Sequence, residues 1–178
     1  MWRRRQNTIG DEERVIKDPA KAKDRTMNRA VKLLAAKPRS VGELRERLLE
    51  KNWTNAEIVS GVIEKLAEYG YLDDEKYASE LALSKLRQKP QGKRRLQQAM
   101  SQKKLDREVV DTAIDAAFEK MPEAELIEHA VEKRIRLKGR PETREDTKKF
   151  YDYLLRQGFA FDLVREKISE LGNVRDEE

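Results

Sequence analysis

The sequence predicts an all-α protein, an elongated array of three tandem three-helix repeats, and three observations carry that prediction. The first is self-similarity. The apolar series Leu44, Leu48, Trp53, Ile58, Val62 and Leu66 recurs 52 residues later as Leu96, Met100, Leu105, Val110, Ile114 and Phe118. It recurs after a further 54 as Phe150, Leu154, Phe159, Val164 and Ile168, the sixth place falling on Gly172 with Leu171 beside it. A fixed period of this kind marks units that complete their cores by packing on their neighbours. The second observation is that apolar residues keep helical spacing throughout, with no period-two alternation. The third is composition: 38% apolar and 41% charged residues in a chain of 178 leave a narrow core under an ionic surface.

The elements follow in order. Residues 1–23 lack sustained periodicity, hold Gly10 and Pro19, and read as a flexible N-terminal extension. The first repeat spans 24–70. Ala30, Val31, Leu33 and Leu34 form its first stripe, which Pro38 closes. Ser40-Val41-Gly42-Glu43 reads as a capping box opening the second helix, and Thr54-Asn55-Ala56-Glu57 as another opening the third, which Gly70 ends. The second repeat spans 71–121. An Asp of Asp73-Asp74 caps a helix bearing Tyr77, Ala78, Leu81, Ala82 and Leu86; Pro90 and Gly92 break it, and Asp106 caps the last helix. The third repeat spans 122–172. It opens on Pro122 as a first-turn residue, breaks at Gly139 and Pro141, is capped by Thr143, and turns at Gly158. Residues 173–178 read as a frayed tail. Helices of about 12 residues are about 18 Å long, so three such units side by side make an extended surface, suited to a large partner.

Several kinds of chemistry have no support. With no Cys there is neither a disulfide framework nor a thiolate metal site, which is compatible with a reducing cytosol. No apolar run approaches the roughly 18 residues of a membrane span, and Gln6, Asn7, Thr8 and Gly10 interrupt the stretch where a signal peptide needs its hydrophobic core. The one His, His129, lies mid-helix with no nucleophile motif around it. Asp73-Asp74 is explained by capping better than by paired-carboxylate catalysis. Gly92-Lys93 lacks the earlier glycine and the hydroxyl residue of a phosphate loop. Trp53, Leu105 and Phe159 hold equivalent corners, and since Leu cannot stack on a base, they read as core. We therefore expect no enzyme, no cofactor, no metal and no membrane partner.

A net charge of +5 favours acidic partners, nucleic acid first among them. Two clusters concentrate it. Arg87, Lys89, Lys93, Arg94, Arg95, Lys103 and Lys104 surround the Pro90–Gly92 break without an intervening acid, and Lys133, Arg134, Arg136, Lys138, Arg140 and Arg144 surround the Gly139–Pro141 break. Equivalent corners of successive repeats can combine into one basic stripe, suited to a phosphate backbone or an acidic protein groove.

Four stretches together carry a family resemblance. Tyr71-Leu72-Asp73-Asp74-Glu75-Lys76-Tyr77-Ala78 resembles the signature that opens the middle of RecX proteins, the regulators of RecA recombinase. Ala30–Leu34 with Arg39–Leu44 and Leu48 resembles their first unit, Gln91-Gly92 with Leu96 and Lys103-Lys104-Leu105 their next helix and corner, and Leu154–Phe159 with Val164 their last repeat. The corner departs from a Lys-Gly-Ile-like pattern by placing Lys104 where the glycine falls. The resemblance, from about residue 25 to 171, implies a monomeric cytoplasmic bacterial protein. It implies that the chain binds the RecA–DNA filament in its groove and inhibits ATPase, strand exchange and assisted repressor cleavage, with weak binding to DNA alone. The alternative is a sequence-independent DNA-binding array that acts by competing for DNA.

Overall fold

The computed structural model describes Arg14 and residues 16–173. Among the described residues there are nine helices and no strand: α1 Pro19–Ala36, α2 Val41–Leu49, α3 Ala56–Glu68, α4 Asp74–Gln88, α5 Lys93–Ser101, α6 Arg107–Lys120, α7 Glu123–Lys138, α8 Arg144–Arg156 and α9 Phe161–Asn173. The tail Asp176-Glu177-Glu178 and most of the expected N-terminal extension lie outside the described residues. None of the helices is long and apolar enough to cross a membrane.

The caps explain most boundaries. Ser40 and Glu43 form the reciprocal capping box, Asp106 caps α6 and Thr143 caps α8. Asp73 caps the start of α4 by accepting the Lys76 amide at 2.8 Å. Four local readings change. α1 starts inside the stretch read as an extension, because Asp18 caps it and Pro19 fits its first turn. Asn55, not Thr54, caps α3; Thr54 is fully buried instead, its hydroxyl 2.9 Å from that of buried Thr26. Pro122 precedes α7 as its cap residue rather than opening its first turn. Trp53 is half-buried with the Arg25 guanidinium 4.5 Å above its ring, whereas Phe159 is buried.

The chain packs as two compact units. One holds the described residues up to Tyr77 together with Lys103–Leu105; the other holds Ala78–Gln102 and the residues from Asp106 onward. In the first, α1, α2 and α3 pack on one another around Ala30, Leu44, Leu48, Val59, Val62 and Leu66. In the second, α5 packs on α6, and α7, α8 and α9 on each other, burying Leu96, Met100, Ile114, Ile127, Phe150 and Leu154. The shared apolar series supplies much of both cores, as close-packed side chains at helical spacing require.

Each unit contains the same joint. In the first, the start of α2 receives the corner Lys103–Leu105. Ser40 Oγ donates to the Lys103 carbonyl, and Gly42 lies against Lys104 so closely that a Cβ would strike the Lys104 carbonyl oxygen. Glu43 accepts from Lys103 Nζ at 3.2 Å and from the Tyr77 hydroxyl at 3.2 Å. In the second unit, the start of α5 receives Gln157–Phe159. The Gly92 amide donates to the Gln157 carbonyl at 3.0 Å, and Arg95 donates to the Arg156 carbonyl at 3.1 Å and to the Gln157 side chain at 3.0 Å. The repeat shifts carry Ser40, Glu43, Lys103 and Lys104 onto Gly92, Arg95, Gln157 and Gly158. One geometry is thus built twice, with an ion pair in one unit and a guanidinium–amide contact in the other.

That equivalence explains Lys104. It holds φ 54°, the left-handed region that its counterpart Gly158 occupies at φ 88°. A side chain there costs on the order of 1 kcal/mol. Lys104→Gly is therefore expected to be about 1 kcal/mol more stable than Lys104→Ala in thermal melts, both variants having lost the exposed Lys104–Glu46 pair equally.

The first joint also carries a pH dependence. Burial alone raises the Glu43 carboxyl, but the Lys103 hydrogen bond and charge, the Ser40 amide and the Tyr77 hydroxyl outweigh it and hold Glu43 below the usual carboxylate value. Burial first, then the Glu43 charge and hydrogen bond, pushes the Tyr77 hydroxyl up to about 12, so it remains a donor. A depressed folded pKa contributes stability that is present above the unfolded carboxylate range and lost as pH falls through the folded value. Glu43→Gln should cost about 1–2 kcal/mol at pH 7 and flatten the loss of stability between about pH 5 and 3. Asp74 has the opposite sign. Burial and the Asp73 and Glu43 charges raise it against the Val41 amide bond, so its ionic cost disappears as pH falls.

Candidate partner-binding surface

Helix ends position the candidate cations. Arg87 closes α4 and Lys89 follows it. Lys93, Arg94 and Arg95 form the first turn of α5, Lys133, Arg134, Arg136 and Lys138 lie on α7, Arg140 is in the following loop, and Arg144 opens α8. Lys103 and Lys104 belong to the first unit, apart in packing from the rest of their sequence cluster.

The cations divide by whether their charge is already engaged. Lys93 pairs with Asp115, and that hydrogen bond is the main reason its ammonium lies above the ordinary lysine value. Lys103 pairs with Glu43 and Lys104 with Glu46. Arg95 is engaged in the α5 joint, and the Arg134 guanidinium lies 4.9 Å above the Tyr153 ring. Arg87, Lys89, Arg94, Lys133, Arg136, Lys138, Arg140 and Arg144 are all exposed, and no ion pair engages them among the described residues.

Lys89 is influenced by cations of both sequence clusters. Burial first, and then the Arg95 and Lys133 charges, hold its ammonium below the ordinary lysine value. Arg95 comes from one cluster and Lys133 from the other, so like charges from both clusters act on Lys89. Like charges held together cost folding energy, and a bound anion relieves that cost. Lys148 and Tyr151, which the charge runs did not single out, line an open groove with Arg144. Their spacing of four and three residues along α8 is the signal that places them on one stripe.

The other residues weighed as candidate chemistry have plain places in the structure. His129 is exposed. Asp73 caps α4, and Asp74 accepts the Val41 amide at 2.9 Å. No group of acidic or His side chains suited to a metal occurs among the described residues.

Comparison with known proteins places this architecture. Profiles described as the first, second and third three-helix domains of RecX match residues 27–66, 73–114 and 122–168. "Regulatory protein RecX" of Chlorobium limicola is 36% identical over 143 residues, covering 80% of this chain and 86% of the relative. The chain belongs to the RecX family. A second relative of the same name, from Mycolicibacterium vanbaalenii, is 31% identical over 176 residues, covering 89% of this chain and 92% of its own. The crystal structure of RecX from Lactobacillus salivarius aligns with a TM-score of 0.74 over 86% of this chain and 98% of that one, at 22% identity. That last likeness concerns the fold alone. Within the RecX architecture the joints have a plain place: each of the two joins a corner late in one three-helix domain to the second helix of the domain before it.

Proposed function

We propose that this chain is a regulator that binds the RecA–DNA filament in the cytoplasm and inhibits RecA's ATPase, strand-exchange and coprotease activities, modulating DNA repair and recombination. Membership of a family whose curated relatives are named regulatory proteins supports the reading. The observation that carries it is the set of exposed cations of the second unit that no ion pair engages among the described residues: Arg87, Lys89, Arg94, Lys133, Arg136, Lys138, Arg140 and Arg144. Filaments and nucleic acid are repetitive polyanionic partners, and a basic surface on an array engages them at several points. Regulation then needs no catalytic step: a ligand shifts a filament's equilibrium by its difference in affinity for the two states.

The basic surface also favours a second reading, sequence-independent DNA binding with inhibition by competition. Titration into DNA-dependent RecA ATPase separates the two. With DNA in excess and this protein far below the RecA concentration, filament regulation predicts inhibition, because competition for DNA fails when DNA is plentiful. Inhibition that disappears as DNA is added, alongside tight salt-sensitive DNA binding, would overturn the first reading in favour of the second.

A further inference from the structure

An open groove on the second unit is lined by Arg144, Glu145, Thr147, Lys148 and Tyr151 of α8 and by Ile168 of α9. Its free charges are positive. Glu145 is paired with Lys149 at 2.8 Å, and Asp146 is engaged by Thr143 at the α8 cap. Arg144 and Lys148 are exposed and have no ion pair among the described residues. Along α8 the steps from Arg144 to Lys148 and from Lys148 to Tyr151 are about 6 and 4.5 Å, which keeps all three on one stripe. Beside the cations lie rings. Tyr151 meets Phe161, the first residue of α9, edge-on at 5.9 Å, and Phe161 is 58% exposed. An edge-on pair leaves ring faces open to a further flat group.

We propose that this groove is a subsite for single-stranded DNA, in which a base stacks on Phe161, backed by Tyr151, and Arg144 and Lys148 hold the neighbouring phosphates. The choice of DNA over RNA rests on the proposed function; the stacking does not. Exposed cations alone attract single and double strands alike. The rings add a strand preference, because stacking needs a base whose face is free, and in a duplex each base is already stacked on its neighbours. Every base has a π face, so the contact is indifferent to sequence. Charge also orients the strand. Asp162 follows Phe161 in the first turn of α9, which directs the phosphates to the Arg144 end of the groove and leaves the ring end to the base. An acidic protein segment would use the same two cations, but it has no need of a flat ring; the ring pair is what favours a base.

Anisotropy of the full-length chain with a labelled fifteen-nucleotide oligothymidylate, without RecA, tests this. Phe161→Leu keeps an apolar side chain but removes the stacking face. It should weaken binding at least about fivefold and leave affinity for a duplex of the same length within about twofold. Its slope of log affinity against log salt should match that of the natural chain. In Arg144→Gln, Lys148→Gln that slope should fall by about 1.4, at roughly 0.7 per phosphate contact of a single strand. A strand with the same phosphates but abasic sugars probes the site without altering the protein. The natural chain should bind it more weakly than oligothymidylate, and Phe161→Leu should weaken it by no more than about twofold further, because both changes remove one contact. Equal losses on oligothymidylate and the abasic strand, or on single strand and duplex, overturn the stacking. Oligouridylate bound more tightly than oligothymidylate overturns the choice of DNA. If Phe161→Leu weakens inhibition of RecA ATPase while oligothymidylate binding stays intact, the groove is a protein contact, and the subsite falls while the filament reading stands. The binding arms contain no RecA, so failure of the filament reading leaves them unchanged.

Discussion

Changing Arg87 and Arg94 together to glutamate is expected to raise the concentration needed for half-inhibition of RecA ATPase at least about thirtyfold, from roughly 1 kcal/mol per reversed charge at a polyanionic surface. The thermal midpoint should stay within about 1–2 °C, because exposed side chains without partners contribute little to stability. Both residues are exposed and neither engages a carboxylate among the described residues. The choice of these two over their neighbour matters. Arg95→Glu also reverses a charge in the same cluster, but Arg95 holds the Arg156 carbonyl and the Gln157 side chain. Its loss would mix a damaged joint with a lost contact. Wild-type inhibition by the Arg87→Glu, Arg94→Glu chain, measured with a melt beside it, would remove the basic surface from the proposed function.

The helical architecture was legible because it rests on local rules. Apolar spacing, the Ser40–Glu43 box and the Asp106 and Thr143 caps each act within a few residues, so one pass along the chain finds them. The readings that changed depend on more distant neighbours. Thr54 looked like a cap because its type suits one, but Thr26, 28 residues earlier, draws its hydroxyl inward. Trp53 shares a repeat position with Phe159, yet Arg25 of α1 lies over its ring and it stays half-exposed.

The charge clusters show the same division. That Arg87–Lys104 is rich in cations is a property of the sequence; that Lys93, Lys103 and Lys104 already have carboxylate partners is not. Those partners are 22, 60 and 58 residues away. The charge of Lys133, from the other cluster, also acts on Lys89 from far along the chain. What survives as a candidate surface is therefore narrower than the charge run and joins parts of both clusters. Lys104 was legible only as a departure from a family pattern, and its left-handed backbone supplies the physical content: the corner keeps a glycine's conformation without a glycine.

Gly92→Ala is expected to be the most damaging conservative change in the chain, costing about 3 kcal/mol or more, because overpacking of backbone against backbone cannot be relieved by a rotamer change. A Cβ at Gly92 would meet the Gly158 carbonyl and the Phe159 amide nitrogen, and one at Gly158 would meet the Arg95 amide nitrogen in a residue already at φ 88°. The Gly92 amide must also approach the Gln157 carbonyl to 3.0 Å, so a shift that relieves the clash breaks the bond that closes the joint. Gly61 supplies the control. It lies within α3 with nothing within 4 Å of an added Cβ. There Ala should stabilise by about 0.5–1 kcal/mol through helix propensity and reduced unfolded-state freedom. Thermal melts of Gly92→Ala, Gly158→Ala and Gly61→Ala should therefore separate by sign: a fall of several degrees for the first two and a small rise for the third. A Gly92→Ala chain that melts with the wild type would mean that α5 and the Gln157 corner do not close in solution, and Arg95 would then be free to join the exposed cations beside it.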